Sequence, residues 1–70
     1  MDRFYMNKNE QPTGEHEVHR TYSTCPTHAD PANRRDLGEH PDCKSALAAA
    51  RQIARNVDGC AHCVPDCHTR

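Results

Sequence analysis

Three of the chain's five cysteines fall in the run Cys60-Ala61-His62-Cys63-Val64-Pro65-Asp66-Cys67-His68. Two cysteines separated by two residues can aim both thiolates at one ion, the spacing of zinc knuckles. The same spacing also serves thiol–disulfide chemistry, where the pair sits between a strand and a long helix. Here Pro65 follows Cys63 almost at once and only seven residues remain after Cys63, too few for such a helix. A structural zinc site wants four Cys or His ligands in a tetrahedron. Cys60 and Cys63 supply two. Cys25, in a loop after a strand-like run, is expected to supply a third. Cys67, closing a C-x-x-C-x-x-x-C run, is expected to supply the fourth, with His19, Cys43 and His68 as substitutes. The expected metal is Zn(2+).

The remaining candidates have plainer readings. Cys43 lies on an apolar helical stripe, where a free cysteine behaves as a small buried hydrophobe. His16, His28, His40 and His62 read as exposed or supporting residues. Arg34 and Arg35 read as a solvated pair, and Lys44, Arg51 and Arg55 as a solvated helix side.

The rest of the chain must position these groups with little apolar material. Its 70 residues make one small domain, 1–70, and only 34% are hydrophobic, many of them alanine or cysteine. A chain of this size buries roughly 60% of its unfolded surface and is marginal without a metal or disulfides. Five cysteines are an odd number, whereas a secreted disulfide scaffold normally has an even one. No apolar run near Met1 suits a signal peptide or membrane span. The expectation is a cytoplasmic protein, where clustered cysteines more often bind metal than pair with each other. The formal net charge of −1 is not the footprint of a typical DNA binder. One phenylalanine and two tyrosines offer little for stacking on single strands.

The pattern predicts an α+β domain: a two- or three-stranded antiparallel sheet, one helix and a C-terminal C-x-x-C turn. Phe4 to Asn7 is β-prone. The polar stretch to Gly14 reads as a turn or loop, and Glu15 to Tyr22 alternates as a second strand. Arg34 to Gly38 is a short third strand. A helix runs over Cys43 to Asn56, with Asp42 as its cap and Ser45 three residues on, or with Pro41 as the first helical residue. Cys43, Leu47, Ala50, Ile53 or Ala54, and Val57 form its stripe, and Asn56 or Gly59 ends it in a left-handed conformation.

Several of these residues, taken together, resemble a family of small bacterial Cys/His-rich proteins of unknown function. They are Asn7-Lys8-Asn9-x-Gln11, Glu17-Val18-His19, Cys25, Asn33-Arg34, Leu37-Gly38, Asp42-Cys43, Asp58-Gly59-Cys60-x-x-Cys63 and Cys67-His68-Thr69. More remotely, the order strand, cysteine, alanine-rich helix, Gly, C-x-x-C resembles the zinc domain of the Ada DNA-repair protein. That resemblance implies ligand roles for Cys25, Cys60 and Cys63 and a zinc thiolate able to accept a methyl group. The chain departs from it at Pro26-Thr27-His28, which replaces a basic DNA-contacting segment, and in adding Cys67 and His68.

The functional expectation is a non-catalytic zinc module, not an enzyme, that binds a protein partner. The alternatives are an Ada-like alkyl acceptor or thiol sensor, and weak nucleic-acid binding through Arg34, Arg35, Arg51 and Arg55.

Overall fold

The computed structural model describes residues 1–69. Arg70, the last residue of the expected 1–70 domain, lies outside them.

β1 (Asp2–Glu10) and β2 (His16–Arg20) form an antiparallel hairpin. The register places Tyr5 opposite His19 and Met6 opposite Val18. Because side chains alternate along a strand, Phe4, Met6 and Val18 share one face and Tyr5 and His19 the other. The connection is closed by Gly14 N–H donating to the Gln11 carbonyl, with Gly14 at φ +96°. β1 begins earlier and runs later than the four-residue strand expected, because it is paired on both sides. β3 (Arg34–His40) lies antiparallel on its other side. The register slips between Phe4 and Tyr5, leaving Leu37 as an extra residue beside Gly38 at φ +81°. That is the signature of a glycine bulge.

α1 (Cys43–Arg51) takes the Asp42-capped start of the two expected, not Pro41, with the Asp42 carboxylate accepting from Ser45 N–H at 2.8 Å. It buries Cys43, Ala46, Leu47 and Ala50 against Phe4, Met6 and Val18. It ends at Arg51 rather than Asn56. Beyond Ala50 the stripe thins to Ala54, while Ile53 is 43% exposed and outside the core. The helix has no left-handed end: its last turn closes on Gln52 in helical conformation.

The chain then returns to the sheet. His16 N–H donates to the Asn56 carbonyl, and β4 (Val57–Gly59) pairs parallel with β2. The sheet is therefore four-stranded and mixed, in the order β3-β1-β2-β4, and not a two- or three-stranded antiparallel one. The α+β class holds. β4 is three residues long, with one apolar side chain, so no periodicity announces it. Gly59 was expected to end a helix and instead lies in this strand. A Cβ there would stand 2.8 Å from the Val64 carbonyl oxygen and 2.9 Å from the Cys67 carbonyl group.

A second correction concerns Cys43 and Cys67. Cys43 is buried as expected, but it is joined to Cys67 by a disulfide. The tail folds into a one-turn 3₁₀ helix, Pro65–Cys67, and packs on α1. This brings Cys67 to the first residue of α1. No helix among the described residues is long and apolar enough to cross a membrane.

Candidate metal centre

The disulfide leaves three free cysteines, and all three converge with one histidine. One ligand atom from each of His19, Cys25, Cys60 and Cys63 lies within 4.8 Å of every other. Each donor reaches the centre from a different piece of structure. His19 projects from the face of β2 opposite α1. Cys25 comes from the loop after β2. Cys60 follows β4 directly, its N–H donating to the Val18 carbonyl at 2.9 Å and so extending the parallel pairing. Cys63 closes the knuckle turn, in which Val64 N–H donates to the Cys60 carbonyl at 2.8 Å.

The distances suit a tetrahedron. His19 Nδ1 is 3.4 Å from Cys63 Sγ and 3.7 Å from Cys25 Sγ. Cys25 and Cys60 sulfurs are 3.6 Å apart. Ordinary zinc bond lengths at tetrahedral angles put nitrogen and sulfur roughly 3.6 Å apart and two sulfurs roughly 3.8 Å apart. The group could hold a metal ion. Cys67, expected as the fourth ligand, is withdrawn into the disulfide, and His19 occupies its place. His68 is occupied elsewhere, with Nδ1 donating to the Gly59 carbonyl at 2.9 Å and lying 3.2 Å from Asp58.

The sulfurs also collect hydrogen bonds suited to thiolates. Arg20 N–H donates to Cys63 Sγ, and His62 N–H to Cys60 Sγ, each at 3.4 Å. The Thr27 hydroxyl lies 3.4 Å from Cys25 Sγ and 3.5 Å from Cys60 Sγ. Hydrogen bonding to the charged form favours it. At Cys25 burial opposes ionisation, but the contacts from Thr27, Cys60 and Cys63 outweigh it and bring the thiol below its ordinary range. At Cys63 burial dominates and pushes the thiol up to about 12, against the Arg20 contact. Burial, aided by His28 and Arg34, holds His19 down to about 4. Its ring is thus neutral at pH 7, the form that ligates metal.

Comparison with family models, curated proteins and solved structures finds no match.

The surroundings of His19 went unseen in the sequence. Its Nε2 lies 2.9 Å from Glu17 Oε1, a short contact poorly aligned for a hydrogen bond. The other oxygen of Glu17 accepts from Gln11 Nε2 at 2.7 Å. A carboxylate can only accept, so the proton belongs on Nε2, which leaves the Nδ1 lone pair facing the sulfurs. His19 also stacks on Tyr5, ring centroids 5.0 Å apart, and the Arg34 guanidinium covers Tyr5 at 4.5 Å. His28 completes the layer. Its Nε2 donates to the Ser23 carbonyl at 2.8 Å, and its Nδ1 accepts from the Tyr5 hydroxyl at 2.7 Å. These bonds pin the loop that carries Cys25. The available signal was strand parity: Tyr5 and His19 share a face, and a histidine on that face is a poor fit for a solvated position.

Proposed function

We propose that the protein is a non-catalytic zinc-stabilised module that binds a protein partner. The observation that carries the first half is the convergence of His19 Nδ1 with three cysteine sulfurs. Three thiolates and one imidazole are a common structural zinc set, and a closed four-ligand site has no open position for substrate. The thin core gives the metal a reason to be there. The donors come from β2, the following loop and the segment after β4, so one ion ties together parts of the chain far apart in sequence.

The partner half rests on surface character. Met1 and Tyr22 are 86% and 85% exposed and line one groove with Asp2, Arg3, Arg20 and Glu39. Exposed aromatic side chains such as Tyr22 are usual anchors of protein contacts; Arg3 and Arg20 are partly buried and held by Asp36 and Asp2. Nucleic-acid binding loses one of its residues, because Arg34 is committed to the Tyr5 ring and to the Ala29 carbonyl.

Elemental analysis and native mass spectrometry test the metal. The expected result is one zinc per chain, with the folded circular dichroism signal lost when a strong chelator removes it. Cys60→Ser and Cys63→Ser are expected to be unfolded at 25 °C, while Cys43→Ser remains folded. A chain that keeps its fold in excess chelator would overturn the proposal.

One observation favours a second reading. Cys25 is the only partly exposed sulfur of the four-donor group, and its thiol is the one shifted toward the thiolate. A reactive zinc thiolate, whether alkyl acceptor or thiol sensor, would act there. Intact-mass analysis after a methylating agent distinguishes it: a single methyl on Cys25 supports this role, and an unmodified protein leaves the purely structural one.

A further inference from the structure

The Cys43–Cys67 disulfide takes no part in the metal group, and its two ends are differently placed. Cys43 is 6% exposed and packed in the core at the first residue of α1. Cys67 is only partly buried and lines an open cleft of about 390 Å³, with Lys44, Arg51, Asp66 and Thr69 also on its walls. Cys43 is absent from that lining.

We propose that this disulfide is a thiol-exchange site, entered at Cys67 by a small zwitterionic thiol. Exchange proceeds by attack of a thiolate on one sulfur of the disulfide, with the other sulfur leaving. An incoming thiolate reaches Cys67 Sγ through the cleft and forms a new S–S bond there. The Cys43–Cys67 bond breaks, and its electron pair leaves on Cys43 Sγ, which then takes a proton. A second thiol attacks the incoming sulfur of the mixed disulfide and releases Cys67 as a thiol. The balance is two thiols oxidised to one external disulfide and one protein disulfide reduced to two thiols. The reverse reaction, with a small disulfide as oxidant, closes the bond again.

Access selects the point of attack. At the leaving sulfur two effects oppose each other. The N-terminal end of a nine-residue helix favours a thiolate at Cys43, while burial disfavours it. Neither effect opens a route to Cys43 for an external thiol. The cleft also indicates the kind of thiol. Lys44, Arg51 and Asp66 line it beside the apolar Leu47 and Val57, while the buried Asp58 carboxylate is taken by Thr69. Two cations and the Asp66 carboxylate suit a thiol bearing both carboxylate and ammonium groups.

Glutathione is the probe. The oxidised, metal-loaded protein is exposed to it under native conditions, quenched with acid, alkylated and mapped by peptide mass spectrometry. The expected intermediate carries glutathione on Cys67 and the alkyl group on Cys43, in at least tenfold excess over the opposite pattern. A preference for Cys43, or exchange seen only in denaturant, would overturn the proposal. Lys44→Glu with Arg51→Glu is expected to slow exchange by glutathione several-fold while leaving the rate with neutral β-mercaptoethanol unchanged. Equal slowing of both thiols would remove the zwitterion selectivity.

Discussion

His19 is the residue on which the candidate metal centre turns. It is fully buried, stacked on Tyr5, and bounded by sulfur on one ring edge and the Glu17 carboxylate on the other. Metal-ligating histidines usually present their second nitrogen to such a carboxylate, which fixes the tautomer and raises the basicity of the ligand. Glu17→Gln should therefore weaken zinc binding about 10- to 100-fold. The ¹⁵N shifts of the His19 ring should show zinc on Nδ1 in the native chain and a less uniform ring state in the variant. Unchanged affinity and unchanged ring shifts would show that Glu17 positions nothing. The pH dependence follows from the same ring. The folded pKa of about 4 lies below the ordinary 6.5, so the His19 contribution to stability is complete above 6.5. It is lost as pH falls from there toward 4, because the unfolded chain takes up the proton first. Cys63, pushed up to about 12, keeps its proton at pH 7 until metal displaces it. Apparent zinc affinity should then rise with pH through thiol deprotonation. Below pH 6.5 its slope should steepen by about one proton, the one His19 takes up on unfolding. Competition with a chromophoric chelator from pH 5.5 to 8 measures both. A constant slope would mean that metal loss does not expose His19.

At the scale of elements, the knuckle is aimed by β4 and by what packs on it. Gly59 leaves no room for a side chain against the backbone of Val64 and Cys67. Backbone cannot swing away as a flexible side chain can. Gly59→Ala should cost about 1–3 kcal/mol by overpacking and should also weaken metal binding, since Cys60 is the next residue. Gly14→Ala is the control. It has open space and only a positive φ to strain, worth about 1–2 kcal/mol, so metal affinity should not move. Urea titration with parallel zinc competition separates the two effects. The same elements show what the sequence could reveal. β1, β2, β3 and the start of α1 were legible from local signals: a β-prone run, the alternation of β2, a strand end at Gly38, the Asp42 cap and the alanine-rich stripe. β4 was not, because three residues with one apolar side chain carry no period. Its pairing is decided by β2, about forty residues earlier in the chain. Cys25, Cys60 and Cys63 were legible by spacing and residue type. His19 was among the named substitutes for Cys67, but the choice between them was not legible, because it depends on the tail packing on α1 and on the parity of β2.

At the scale of the whole molecule, the disulfide and the proposed metal site would share the work that a larger core would do. An ion held by His19, Cys25, Cys60 and Cys63 would tie β2 and its following loop to the knuckle. The disulfide ties the start of α1 to the segment after the knuckle, 24 residues apart in sequence. Asp58 adds a third, non-covalent tie, its carboxylate accepting from the Thr69 N–H and hydroxyl at 2.9 Å each. None of the four candidate donors belongs to the disulfide, so disulfide and proposed metal site can be opened separately. Opening the disulfide enlarges the unfolded ensemble and should lower stability by about 3 kcal/mol for a loop of this length. Reduction with a phosphine that does not bind zinc should therefore shift the urea midpoint downward while one zinc per chain is retained. Cys67→Ser should behave like the reduced protein, and further reduction should not change it. Chelation of the oxidised protein should instead collapse both the metal signal and the fold, because the disulfide alone holds neither the Cys25 loop nor His19. If reduction also released the zinc, the two cross-links would be one coupled device, and the metal donors would depend on the seat of the tail.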